Sequence, residues 1–182
     1  MMTQRKAGRE GLLNTMLPEP YGSGGDFGHA AVLIEEVGRT NATALGFPLH
    51  SDIVSPYIHA YGNKEQHDRW LPKMAKGELI TAIAMTEPGT GSDLQAIRTT
   101  ARRDGDHYVL SGQKTFITNG QNANLIIVAC RTVAPDGANA AQTKGAKGMS
   151  LLVLETEGAQ GFSRGRMPVS YTHLTLPPTS SV

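Results

Sequence analysis

The stretch LITAIAMTEPGTGSD, residues 79–93, divides two kinds of sequence. Its first eight residues form a short, mostly apolar run, which fits a buried strand. From Glu87 onward, glycines, hydroxyls and carboxylates crowd together more densely than an ordinary strand connection requires. Glu87-Pro88 favours extended backbone ahead of a turn. Gly89 and Gly91 are expected to permit positive φ and close approach of backbone N–H groups to a ligand. With the Ser92 hydroxyl, successive N–H groups there can form an anion-binding nest. The spacing is not G-x-G-x-x-G and no G-K-[ST] follows, so neither nucleotide fingerprint applies. On composition alone, a connection rich in turn residues is the competing reading.

Upstream of this stretch the period is helical. Residues 26–39, DFGHAAVLIEEVGR, place Phe27, Ala30, Ala31, Ile34 and Val37 at helical spacing, with Asp26 as N-cap and Gly38 and Asn41 at the stop. Asn63 and Gln66 read as a capping box, and Pro72 is expected to break or kink the helix they begin. Downstream, IRTTARR (97–103), HYVLSG (107–112), KTFITNG (114–120), LIIVACR (125–131) and GMSLLVLET (148–156) read as strands. Asp104-Gly105 marks a tight hairpin turn. The expected fold is therefore α+β and multidomain. An all-α domain over residues 1–78 precedes a small antiparallel β-barrel over residues 79–167. Residues 132–147 are small and polar and read as a surface loop.

A net charge of +1 gives no electrostatic case for nucleic acid or an anionic membrane. The single cysteine, Cys130, excludes an internal disulfide and reads as a small buried apolar residue. The start has charges but no h-region or cleavage site, so a signal peptide is not expected. A reducing cytosol or organelle matrix fits best. His29, His50, His59 and His67 match no metal spacing, so surface or capping roles and no metal are expected. Trp70 and Tyr61 read as packing residues, and Arg102-Arg103 as solvated charges.

Several ordered segments resemble the acyl-CoA dehydrogenase family. AMTEPGTGSDLQA (84–96) is similar to its signature loop, with Thr90 standing where the family usually has a smaller residue. KAGREGLL (6–13) and LPEPYGSGG (17–25) resemble parts of the helical N-terminal domain. GNKEQ (62–66), WLP (70–72) and Gly77-Glu78 resemble the lead-in to the strand domain. GQKTFITNG (112–120) resembles the second flavin-contacting segment. The wording around 80–98 is most similar to the long-chain type.

The resemblance implies FAD as cofactor and α,β-dehydrogenation of a fatty acyl-CoA as the reaction. A carboxylate would remove the α-proton while a hydride leaves the β-carbon for flavin N5. By the same resemblance, Ile83, Ala84, Met85 and Thr86 would line the flavin. Gly91 and Ser92 would meet its phosphate region, with Ser92 also reaching substrate. Phe116, Ile117 and Thr118 would pack against the ring, Phe116 replacing the family's frequent Trp. Glu87 reads as a carboxylate supporting backbone, not as a base. The family's catalytic glutamate lies in a C-terminal helical domain with no counterpart here, so no catalytic residue is named. An electron-transfer flavoprotein as partner and a homo-oligomer are further implications. So is a cytoplasmic (bacterial) or mitochondrial matrix location. The rival readings are a flavin monooxygenase or oxidase on the same scaffold, and a non-catalytic β-barrel binding module.

The last 14 residues, VSYTHLTLPPTSSV, contain no Asp, Glu, Lys or Arg, and six are Ser or Thr. Back-translated, Val169–Leu174 can be spelled GTC TCT TAT ACA CAT CTG, which resembles a transposon-end sequencing adapter. Residues 168–182 are accordingly expected to be a non-native tail and are set aside from the fold. A long read across the codons for Arg166 to Val169 checks this: the frame should continue past Arg166 into helical sequence. A native stop after Val182 would remove the enzyme reading for this gene product.

Overall fold

The computed structural model describes residues 2–133, 146–165 and 174–181. Most of the expected surface loop at 132–147 lies outside them. The chain divides into two compact units, Met1–Thr81 and Ala82–Val182.

In the first unit, α1 (Met2–Arg9), α2 (Phe27–Arg39), α3 (Ser55–Tyr61) and α4 (Lys64–Ala75) are the α-helices, with a π-helical turn at Leu49–Val54 leading into α3. Asp26 caps α2 as expected, but the reciprocal partner is the His29 side chain: Nδ1 lies 3.2 Å from the Asp26 amide. Asn63 and Gln66 form the expected capping box on α4. Pro72 does not end α4, which runs on to Ala75 with Trp70, Leu71 and Met74 buried. That packing outweighs the one backbone bond a proline forfeits. The expected apolar stripe on α2 is only partly buried: Ala30 is covered, whereas Phe27 and Ile34 stay exposed. Tyr61 is also exposed, its ring 6.0 Å from that of Tyr57, so it is not a packing residue.

A buried polar network runs through this unit. Asn14, at φ 52°, accepts the Ser55 hydroxyl at 2.6 Å and gives its amide N–H to Ser51 Oγ at 3.1 Å. His50, expected at the surface or at a cap, is fully buried in the π turn. Its Nε2 faces the Met74 carbonyl at 3.1 Å and its Nδ1 the Thr81 hydroxyl at 2.8 Å. A carbonyl can only accept, so Nε2 carries the proton and Nδ1 accepts from Thr81.

The second unit is one curled sheet of β1 (Thr81–Ala84), β2 (Thr100–Asp104), β3 (His107–Lys114), β4 (Leu125–Val133), β5 (Met149–Glu155), β6 (Ser163–Arg164) and β7 (Leu174–Ser181). The order is β1-β4-β2-β3-β7-β6, with β5 also paired to β4. The sheet is mixed, correcting the all-antiparallel expectation: β2 and β4 run parallel, Thr100 opposite Arg131. The cause is topological. β2 and β3 form the expected hairpin, and the link after β3 returns the chain to the free side of β2, heading the same way. Gly105, first of the two hairpin loop residues, has φ 61°, where a II′ turn takes glycine. KTFITNG is not a strand beyond Lys114, because Phe116 and Asn119 adopt φ of 58° and 63°. β4 is the core strand, buried on both faces over Leu125–Cys130. Ala82, Ala84, Leu110, Ile126, Val128, Cys130 and Leu154 pack together in the core.

The backbone of Leu174–Ser181, set aside above, forms β7 along the outer edge of β3. Its register slips between Leu110 and Gly112 of β3, and Pro177 and Pro178 fall in the skipped stretch. Prolines cannot donate to a ladder, so the bulge is where they fit.

Burial lowers the His50 pKa from 6.5 to about 4. The folded state therefore resists a proton that the unfolded chain accepts. The neutral ring's contribution is complete above pH 6.5 and drains away as pH falls toward 4, for a loss on the order of 3 kcal/mol. Urea denaturation of the chain and of His50→Gln across pH 7 to 4 checks this: the variant should show the shallower slope.

Candidate functional site

The loop after β1 is built on one tight turn. Glu87 and Thr90 exchange both backbone bonds, at 2.9 and 3.1 Å, across Pro88 and Gly89. Thr90, the departure noted in the signature, is buried and gives its hydroxyl to the Ala96 carbonyl at 3.1 Å. Asp93 caps the following 3-10 turn, Leu94–Ala96, by accepting the Gln95 amide. Arg131 of β4 then holds the returning strand by donating to the Ile97 and Gln95 carbonyls. Neither Gly89 nor Gly91 adopts positive φ, contrary to expectation. A Cβ at either would meet nothing within 4 Å, so both glycines face open space.

Beneath the loop lies a buried ion pair that the sequence reading half anticipated. Glu87 is committed to structure, with four hydrogen bonds converging on its carboxylate. Its Oε1 accepts the Thr99 hydroxyl at 2.6 Å, the Thr99 amide at 2.9 Å and Lys114 Nζ at 2.9 Å. Its Oε2 accepts the Arg98 amide at 2.7 Å. The expected backbone-supporting role is what the geometry displays. Lys114, which sequence reasoning passed over, also donates to the Met85 carbonyl at 2.9 Å, and its side chain is 0% exposed. As the last residue of β3 it carried no mark of burial in the sequence, since a lysine is almost never fully buried unless paired. Burial alone would push the Glu87 carboxyl up, but the hydrogen bonds from Thr99, Arg98 and Lys114 hold it below the usual value. Burial lowers the Lys114 pKa, opposed by the attraction of Glu87. Burial likewise pushes the Cys130 thiol up to about 11, so it stays protonated in the core.

The structure brings the two sequence-predicted segments together. The Thr115 amide donates to the Thr86 carbonyl at 2.9 Å. Around this joint Met85 and Thr86 are half-buried, while Gly91, Ser92, Phe116 and Thr118 are exposed. Ile83, Ala84 and Ile117 are buried, and Ala84 and Ile117 belong to the core cluster. These three can therefore offer a ligand chiefly backbone and support. Phe116 is 56% exposed and left-handed, an uncommon and costly state for a bulky aromatic that marks functional positions. The Thr115 hydroxyl is buried without a partner among the described residues. Arg164 donates to the Gly120 and Ala123 carbonyls at 3.0 and 2.7 Å and so pins the end of this segment.

Comparison with known proteins places this geometry. Residues 2–78 match the acyl-CoA dehydrogenase N-terminal domain and residues 82–179 the acyl-CoA dehydrogenase middle domain. The chain belongs to the acyl-CoA dehydrogenase family. The mouse mitochondrial long-chain specific acyl-CoA dehydrogenase is 48% identical over 162 residues, 88% of this chain and 36% of that protein. A Geobacillus kaustophilus acyl-CoA dehydrogenase superposes with TM-score 0.88 at 43% identity, over 98% of this chain and 47% of that one. A Bacillus anthracis acyl-CoA dehydrogenase complexed with FAD gives TM-score 0.84 at 33% identity, over 98% of this chain and 31% of that one. The chain thus spans less than half the length of these relatives.

Gly112 is where the joint is tightest: a Cβ there would lie 2.3 Å from Thr99 Oγ1. Gly112→Ala should displace Thr99 and cost about 1–3 kcal/mol in urea denaturation. Gly89→Ala should stay within about 0.5 kcal/mol of the parent.

Proposed function

We propose that this chain supplies the helical and middle domains of an FAD-dependent acyl-CoA dehydrogenase that converts a fatty acyl-CoA to its trans-2-enoyl-CoA. The observation that carries this reading is the joint itself. Two segments remote in sequence are bonded backbone to backbone, with Met85 and Thr86 half-buried on one and Phe116 and Thr118 exposed on the other. The donor set suits a flavin, which needs an apolar wall and a few placed donors. Met85 and Phe116 would supply the wall. Thr86 and Thr118 would direct their hydroxyls to the polar edge of the ring. Gly91 and Ser92 would take the phosphate region, where the open space over Gly91 leaves room, and Ser92 would also reach the substrate. Ile83, Ala84 and Ile117 would hold this wall from behind.

When bound, FAD would accept the hydride that leaves the β-carbon. Among the described residues we assign no base: Glu87 is engaged by four donors, and the carboxylate that takes the α-proton would come from sequence beyond the two matched domains. An electron-transfer flavoprotein would reoxidise the flavin, and a homo-oligomer would complete the site. The compartment would be the cytoplasm in a bacterium and the mitochondrial matrix in a eukaryote.

Titrating FAD into the chain and following flavin fluorescence tests the cofactor reading. Phe116→Ala and Gly91→Ala should each weaken binding about tenfold, the effect of losing about 1.4 kcal/mol. No response with the parent chain or with the full-length parent protein would favour a non-catalytic module. The full-length protein should reduce an electron acceptor with acyl-CoA, whereas this chain alone should not.

A further inference from the structure

We propose that Lys114 and Glu87 are positioning residues: their ion pair sets the shape of the cofactor-facing loop, not merely the stability of the sheet. The role toward the cofactor rests on the flavin reading above; the role toward the loop does not. The geometry points this way because the pair spends its hydrogen bonds on backbone. Lys114 reaches the Met85 carbonyl, and Glu87 takes the Arg98 and Thr99 amides. These anchors bracket the loop at both ends, and Lys114 itself lies two residues before the left-handed Phe116. A buried ion pair is a poor device for stability alone, since apolar residues of similar volume serve as well. What apolar residues cannot do is bond a carbonyl and two amides at once. The Thr99 hydroxyl and the close approach of Gly112 complete the brace from the strand side.

Four forms of the full chain separate shape from stability: the parent, Lys114→Met, Lys114→Met with Glu87→Gln, and Thr99→Val. Two readouts are used, hydrogen exchange of the Arg98, Thr99 and Thr115 amides without cofactor, and FAD titration. Lys114→Met leaves a buried carboxylate without its counterion and should be the least stable. The double variant removes both charges and should recover most of the melting temperature. Its Thr115 amide should still exchange about tenfold faster than in the parent, and FAD binding should weaken by a similar factor. Thr99→Val keeps side-chain volume and removes one bond to Glu87. It should speed exchange at Arg98 and Thr99 several-fold, and it decides the matter if the double variant does not fold. Parent-like exchange in the double variant, or in Thr99→Val when that variant is the arbiter, would overturn the proposal. If exchange changes as expected but neither this chain nor the full-length protein binds FAD, the brace stands and the flavin reading falls.

Discussion

A lysine and a glutamate, both withdrawn from water, hold the second unit's working surface in place. Neither can be removed singly without stranding the other's charge in a site built around the pair. The glutamate accepts from four donors on its two oxygens. That set of bonds explains three features at once. The loop after β1 closes tightly on itself, the strand after it starts at a defined residue, and the segment after β3 turns left-handed while Phe116 points outward. The side chains facing outward from the joint inherit their placement from the backbone that the pair holds.

Much of this was legible in the sequence, and the failures are instructive. The change from helical to strand period at Leu79, the capping residues Asp26 and Asn63, and the hairpin at Gly105 all rest on local rules that packing did not override. Local rules misled where tertiary contacts decide. Pro72 sits inside a helix because its neighbours are buried. KTFITNG has the composition of a strand but contains two residues whose backbone the fold forces left-handed. The parallel pairing of β2 and β4 depends on where a connection crosses, which no residue announces. At the site, the signature glycines drew attention to the loop after β1 on an expectation the structure does not meet, since neither uses positive φ. Lys114 went unread because a charged residue in a short polar motif looks solvated until its surroundings are known.

In the helical unit the same physics operates without charge. His50, Asn14, Ser51 and Ser55 form a buried polar network in which each bond is neutral. Such a network fixes the path of the Asn14 loop against the π turn, because an amide or hydroxyl left unmatched there costs more than the bond returns. Its specificity comes from directionality, where the apolar residues around it supply only volume.

The brace also has an order of arrival. Glu87 and Lys114 are 27 residues apart in sequence. At about 5–20 residues per second, the carboxylate leaves the ribosome roughly 1–5 s before its counterion. During that interval it remains hydrated, and β1 waits for β4, which is made later still. The nascent β-unit therefore cannot close vectorially from its first strand. It can close only once its middle has emerged, when the lysine and the carboxylate leave water together.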